Sequence, residues 1–264
     1  MYPTLFQLGP VIVRTSSLFS LLAFLATAFI FWKKTKEEHY HQDQAFDAFL
    51  LASIAGLVVG RVGFMLLHLG ELGRNLWNWF DVVGHPGSSV LFGLLGASYY
   101  LYRYAKKQKW DQLEVLDFWF LSITVGMVFI QLGTFFAGTG FGFETQLPWG
   151  MVFPGVFAKH HPVQLYSALF YLILYIYLYW AEYNYRTFIW YKAGKKTAQT
   201  GFLTCVFLMA TSGFMLLMQL VKPAQYMINQ INIDVIIYGV MFVGSSVMLY
   251  LKSGRSINLR NKKN

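Results

Sequence analysis

Seven long apolar runs constrain this chain more than anything else in it. They lie at about 11–32, 47–69, 87–104, 115–136, 163–183, 200–221 and 233–251. A helix rises ~1.5 Å per residue, so each run is close to the ~30 Å that a bilayer's hydrocarbon demands. Backbone polar groups inside a bilayer must be paired within the protein, and long continuous apolar runs meet that need as helices. Charged residues make up only 12% of the chain, against ~25% in soluble domains. The predicted fold is therefore an all-α integral membrane protein with about seven transmembrane helices. Residues 1–251 read as one polytopic membrane domain, and 252–264 as a solvated basic tail.

The segments between the runs differ sharply in charge. Lys33, Lys34 and Lys36 follow the first run; Arg103, Lys106, Lys107 and Lys109 follow the third. Arg186, Lys192, Lys195 and Lys196 follow the fifth, and Lys252, Arg255, Arg260, Lys262 and Lys263 follow the seventh. The opposite side has Arg74, Lys159 and Lys222. The positive-inside rule then puts the C-terminus in the cytoplasm and the N-terminus outside. A net charge of +9 would suggest nucleic acid in a soluble chain. Here the basic residues cluster at segment ends, so topology and anionic lipid explain them, and no nucleic-acid partner is expected. Cys205 is the only cysteine and sits in an apolar run, which excludes an internal disulfide and a cysteine metal cluster. No basic region precedes the first run, so it reads as a retained helix and not a cleaved leader. No internal repeat is evident, which leaves an inverted-repeat transporter unsupported.

Polar groups within the runs are the candidates for function, because each is costly to place there. Arg61 lies deep in the second run, within Gly60-Arg61-Val62-Gly63. Its fork can bind a lipid phosphate bidentately, or it can pair with a carboxylate or with carbonyls. Arg14, near an end, can snorkel. Asp47 and Asp234 stand at run starts, where they read as helix caps, and Asp117 reads as a cap or as the partner of a basic neighbour. Gln131 and Gln219 suit interhelical hydrogen bonds. The outward segment 137–162 carries Gly138, Gly140 and Gly142, then Pro148-Trp149-Gly150 and Pro154-Gly155, which predicts tightly turning backbone. It leads into Lys159-His160-His161-Pro162-Val163-Gln164-Leu165-Tyr166. Pro162 suits a first helical turn. His161 reads as a helix-entry residue bonded to nearby backbone, or as a proton-transfer or headgroup-binding group. No further ligands stand at metal-binding spacing, so no metal is expected.

Three stretches carry a resemblance. They are Leu8-Gly9-Pro10-Val11, Gly60-Arg61-Val62-Gly63-Phe64 and His161-Pro162-Val163-Gln164-Leu165-Tyr166. With the seven-run layout, and an ungapped stretch from about Leu91 to Gly142, the chain resembles the phosphatidylglycerol–prolipoprotein diacylglyceryl transferases. The His-Pro-x-Gln-Leu-Tyr string is the most specific of these motifs.

The resemblance implies a multi-pass protein of the bacterial cytoplasmic (inner) membrane. Its partners would be phosphatidylglycerol, or another anionic phospholipid, and a prolipoprotein signal peptide. The implied reaction moves a diacylglyceryl group onto the lipobox cysteine thiol, releases glycerol phosphate and needs no cofactor. The implied site has His161 and Tyr166 as catalytic groups, with Arg61, Gln164 and Gln131 at the lipid headgroup. Several family positions differ here. The histidine before two glycines falls at Leu91-Phe92-Gly93, and His85 is a candidate to stand in for it. The charged span-four signature falls on Ile130-Gln131-Leu132-Gly133-Thr134-Phe135-Phe136-Ala137-Gly138-Thr139. In the sixth run the family's arginine, glutamate and following arginine fall on Met215, Gln219 and Lys222. The alternative expectation is a protein of the same fold that binds lipid or signal peptide without turnover.

Overall fold

The computed structural model describes residues 2–8, 11–68, 81, 87–185, 200–224, 227–228 and 231–252. Seven helices run through them: α1 Thr15–Glu37, α2 Gln42–Leu67, α3 Val90–Lys107, α4 Gln112–Ala137, α5 Val163–Tyr185, α6 Phe202–Met218 and α7 Ile233–Lys252. Five of them (α1, α2, α4, α5 and α7) are long and apolar enough to cross a membrane. Helix α6 is apolar but has only 17 residues. Helix α3 carries Arg103, Lys106 and Lys107 near its C-terminal end. The fold is thus an all-α membrane protein with three short antiparallel ribbons: β1 Thr4–Leu8 with β2 Val11–Arg14, β3 Met151–Val152 with β4 Lys159–His160, and β5 Met227–Ile228 with β6 Ile231–Asn232. His85 and residues 253–264 of the basic tail lie outside the described residues.

The first run does not begin as a helix. Val11–Arg14 pairs instead with Thr4–Leu8, with Leu8 opposite Val11. The β-branched string Val11-Ile12-Val13 favours an extended backbone when a partner strand is in reach. The cap assignments also shift. Asp47 lies inside α2, which starts at Gln42. Asp111, not Asp117, opens α4, its Oδ1 accepting from Leu113 N at 3.0 Å and Glu114 N at 3.3 Å. Asn232 accepts from Val235 N at the start of α7, while Asp234 is buried.

The chain divides into two compact units, one of residues 1–27 and 123–264, the other of residues 28–122. In the second unit, α2 and α3 pack through small residues. A Cβ built on Gly93 would come within 3.1 Å of Gly56 O, and one on Gly60 within 2.8 Å of Ser88 Oγ. Backbones approach this closely only where side chains are absent. Phe31, Phe49 and Trp119 form a three-ring cluster with centroids 5.8–6.2 Å apart.

This unit also contains a local correspondence that the residue string hides. Helix α1 ends with Tyr40 N bonded to Thr35 O and His39 N to Lys36 O. Helix α3 ends with Trp110 N bonded to Ala105 O and Lys109 N to Lys106 O. Both are Schellman closures. Gln42 Nε2 donates to Tyr40 O, as Gln112 Nε2 does to Trp110 O. The rings of Tyr40 and Trp110 then stack at 4.7 Å, and Tyr40 donates its hydroxyl to Glu114. The two turns share only an aromatic-x-Gln pattern, too short to register as a repeat. His39 and Lys109 occupy the left-handed C′ position, with φ of 62° and 60°. Glycine fits there without a Cβ penalty. Lys109→Gly is therefore expected to stabilise the fold by ~0.5–1 kcal/mol, read as a higher thermal midpoint in detergent.

Candidate functional site

The site grows from the turn that starts α5. Gly138 and Gly140 have φ of 75° and 76°, which lets the chain leave α4 and turn sharply. Gly142 N then donates to His161 O at 2.9 Å, and His161 N to Phe143 O at 3.1 Å. Phe143 N donates to Val221 O at 2.8 Å. The Gly142–Phe143 backbone thus sews the entry of α5 to the end of α6. There is no room for a side chain: a Cβ on Gly142 would lie 2.2 Å from Val221 O and 3.0 Å from His161 Cβ. Beneath it, buried Phe153 stacks on Phe141 at 4.8 Å.

This scaffold fixes the polar groups. His160 Nδ1 donates to Gly142 O at 2.8 Å, which commits that histidine to holding the loop. His161 Nδ1 lies 3.4 Å from the Tyr166 hydroxyl. Trp149 Nε1 donates to the same hydroxyl at 2.9 Å. A phenolic oxygen can accept from both ring N–H groups. Gln164 is 2% exposed and donates through Nε2 to Thr139 O at 2.7 Å. Its Oε1 has no hydrogen-bond partner among the described residues, and a buried acceptor of that kind favours an incoming donor.

Gln131 is half-buried on α4, where its carbonyl accepts from Thr134 Oγ1 at 2.9 Å. At the other border, Gln219 Oε1 accepts from Asn232 Nδ2 at 3.0 Å, tying the end of α6 to the start of α7. Burial holds the Lys222 amine below the ordinary lysine range, and the carboxylate of Asp234 opposes that shift. Among the described residues no group of three His, Cys, Asp or Glu side chains gathers to hold a metal.

Arg61 belongs to the other unit. Its Nη1 donates to Gly87 O at 2.8 Å and its Nη2 to Asp81 O at 3.0 Å. These two bonds match the carbonyl-bonding reading open from sequence. Charged donors to such bonds contribute ~1.5–3 kcal/mol each. Arg61→Lys cannot span both carbonyls and is expected to lower the thermal midpoint, measured in the purified protein.

Trp149 is the residue of the group around Tyr166 that the sequence does not single out. Trp149 read only as part of a Pro-Trp-Gly turn. Its signal was a large aromatic flanked by two turn residues on the same outward segment as His161.

The chain matches the family described as prolipoprotein diacylglyceryl transferase over residues 3–251. It belongs to that family. Among curated proteins it is 29% identical over 187 residues to the phosphatidylglycerol–prolipoprotein diacylglyceryl transferase of Clostridium tetani, covering 68% of this chain and 74% of that one. It is 32% identical over 181 residues to the enzyme of the same name from Legionella pneumophila strain Paris, covering 65% and 70%. The counterpart from Wolbachia pipientis wMel is 30% identical over 178 residues, covering 64% and 65%. In this transferase family member, then, Trp149 and His161 from the 138–162 loop meet Tyr166 in the first turn of α5.

Proposed function

We propose that this chain is a diacylglyceryl transferase of the bacterial cytoplasmic membrane. It would move the diacylglyceryl group of phosphatidylglycerol onto the lipobox cysteine of a prolipoprotein. The observation that carries this reading is the family match across residues 3–251. The reading includes seven spans, with the N-terminus outside and the C-terminus cytoplasmic. The excess of basic residues in the last turns of α1 and α3 and from Lys252 onward supports that orientation.

The chemistry follows from the hydrogen bonds around Tyr166. Trp149 Nε1–H donates to its oxygen; with His161 assigned the Nδ1–H tautomer, that N–H donates to the same oxygen, and the tyrosine's own O–H donates to a phosphate oxygen of the lipid. With Nδ1 protonated, His161 Nε2 carries the lone pair and takes the proton of the cysteine thiol. The thiolate sulfur attacks the glyceryl carbon that bears the phosphate. The C–S bond forms as the C–O bond breaks, and glycerol phosphate leaves with that electron pair. His161 then returns its proton to the leaving phosphate or to water. Gln164, Gln131 and Lys222 would face the headgroup, and Lys222 would place positive charge where the leaving phosphate gains negative charge. Arg61, which donates to Gly87 O and Asp81 O, is proposed separately as a contact for a lipid phosphate.

The test incubates purified protein with labelled phosphatidylglycerol and a peptide bearing a lipobox cysteine. Thioether product that requires the cysteine supports the reading. Bound lipid without product above a protein-free blank would refute it.

A further inference from the structure

Between the last turns of α1 and the first turns of α2 lies a groove of about 310 Å³. All of it belongs to the unit of residues 28–122. Its back wall is Phe31, Ala45 and Phe49, each at most 3% exposed. Its sides are Phe29, Trp32 and Phe46, exposed by 57%, 39% and 54%. The groove is therefore half-open and predominantly apolar in lining, with alanines standing where larger residues would close it. A volume of this size is at the lower end of those that hold small ligands.

The charge pattern at its mouth narrows the occupant. Residues four apart on a helix share a face, one turn of ~5.4 Å above each other. Lys33 stands one turn beyond Phe29, and Lys36 one turn beyond Trp32. Lys36 Nζ lies 4.8 Å from the Trp32 ring centroid, so it is held over the groove's edge. Lys34, between them, is buried and committed to Glu37 at 2.8 Å. On the α2 side, Gln42 Oε1 is buried without a hydrogen-bond partner among the described residues. Asp43 is the acidic group of that first turn. A ligand matched to this site has a long apolar chain and, one helical turn above it, a phosphate facing two lysines. Basic mouths between membrane helices are phospholipid sites for this reason.

We propose that the α1–α2 hairpin holds a phospholipid, with one acyl chain in the groove and its phosphate on Lys33 and Lys36. This lipid is separate from the one consumed at the His161 site, and the proposal stands whether or not the chain turns over.

Photocrosslinking tests it on the full chain in bilayers. One probe is phosphatidylglycerol with a diazirine in its acyl chain; the other is the same diacylglycerol without phosphate. The expected result is phospholipid adducts concentrated at 28–32 and 45–49. They should fall about tenfold in Lys33→Ala/Lys36→Ala, consistent with losing charge-assisted bonds, and in Ala45→Trp, which fills the groove. The diacylglycerol probe should show no such preference. The double lysine variant leaves the apolar packing intact, so it keeps the test valid if Ala45→Trp fails to fold. Labelling spread over the lipid-facing helices in proportion to exposure would overturn the proposal. So would labelling unchanged in the lysine variant, or equal for the two probes.

Discussion

His161→Ala is expected to lower thioether formation by about 10²–10⁴-fold, the usual range for removing a general base. The loss should fall on chemistry and not on folding. The side chain's described hydrogen bond is a 3.4 Å contact to Tyr166, while the backbone that anchors the segment is bonded through His161 N and O. The thermal midpoint should therefore stay close to the parent's. Tyr166→Phe separates two roles of the hydroxyl. It keeps the ring but removes the oxygen that accepts from Trp149 Nε1 and lies 3.4 Å from His161 Nδ1, together with the O–H that the proposed mechanism directs at phosphate. A hydrogen bond to a charged group contributes ~1.5–3 kcal/mol, so a loss of roughly 10–150-fold is expected. Single-turnover rates with labelled phosphatidylglycerol and lipobox peptide check both. Parent-like rates in His161→Ala would remove His161 from the mechanism and force the base to be sought elsewhere.

Gly142→Val is expected to be the most damaging substitution of a residue that carries no chemistry. Its Cβ would stand 2.2 Å from Val221 O and 2.8 Å from Val163 Cγ2, so backbone must move to admit it. Overpacking of that kind costs ~1–3 kcal/mol, and more where rigid atoms clash. The shift would also break Phe143 N→Val221 O and Gly142 N→His161 O, which hold the α6 end against the α5 entry. Activity and thermal midpoint should fall together, unlike the His161→Ala pattern, where activity falls alone. Limited proteolysis provides a direct reading: cleavage within 138–162 should accelerate in Gly142→Val. An unchanged cleavage rate would mean the loop is not held by this junction. Gly140→Ala makes a useful contrast, because nothing lies within 4 Å of a Cβ there and only its φ of 76° resists the change.

The helices were legible because apolar content along a span is a local property. Runs of twenty apolar residues read the same whatever they pack against, and the strings at 47–69, 115–136, 163–183 and 233–251 became α2, α4, α5 and α7 with ends moved by a few residues. The ends moved because capping depends on single side chains. Asp111 and Asn232 satisfy amides that the charge pattern had given to Asp117 and Asp234. The strand at Val11–Arg14 was hidden within an apolar run, since strand pairing requires a partner that a one-dimensional pattern does not display.

The site was legible in part. His161, Gln164 and Tyr166 stood out because polar groups at the mouth of an apolar helix need a reason. Trp149 did not, since a tryptophan in an outward loop is ordinarily an interfacial anchor. Arg61 could be drawn toward a phosphate or toward carbonyls, and its charge alone did not distinguish them.

Sequence by itself therefore determined that the chain is a membrane protein, which segments are helical, and to which family it belongs. Each of these depends on hydrophobicity or on short strings that need no knowledge of neighbours. Tertiary structure decided which groups meet: Trp149 with Tyr166, Gly142 with Val221, Tyr40 with Trp110, and the last turns of α1 with the first turns of α2 around an apolar groove. Those meetings depend on how loops and hairpins close in space, and hydrogen bonds between distant residues leave no mark on local composition.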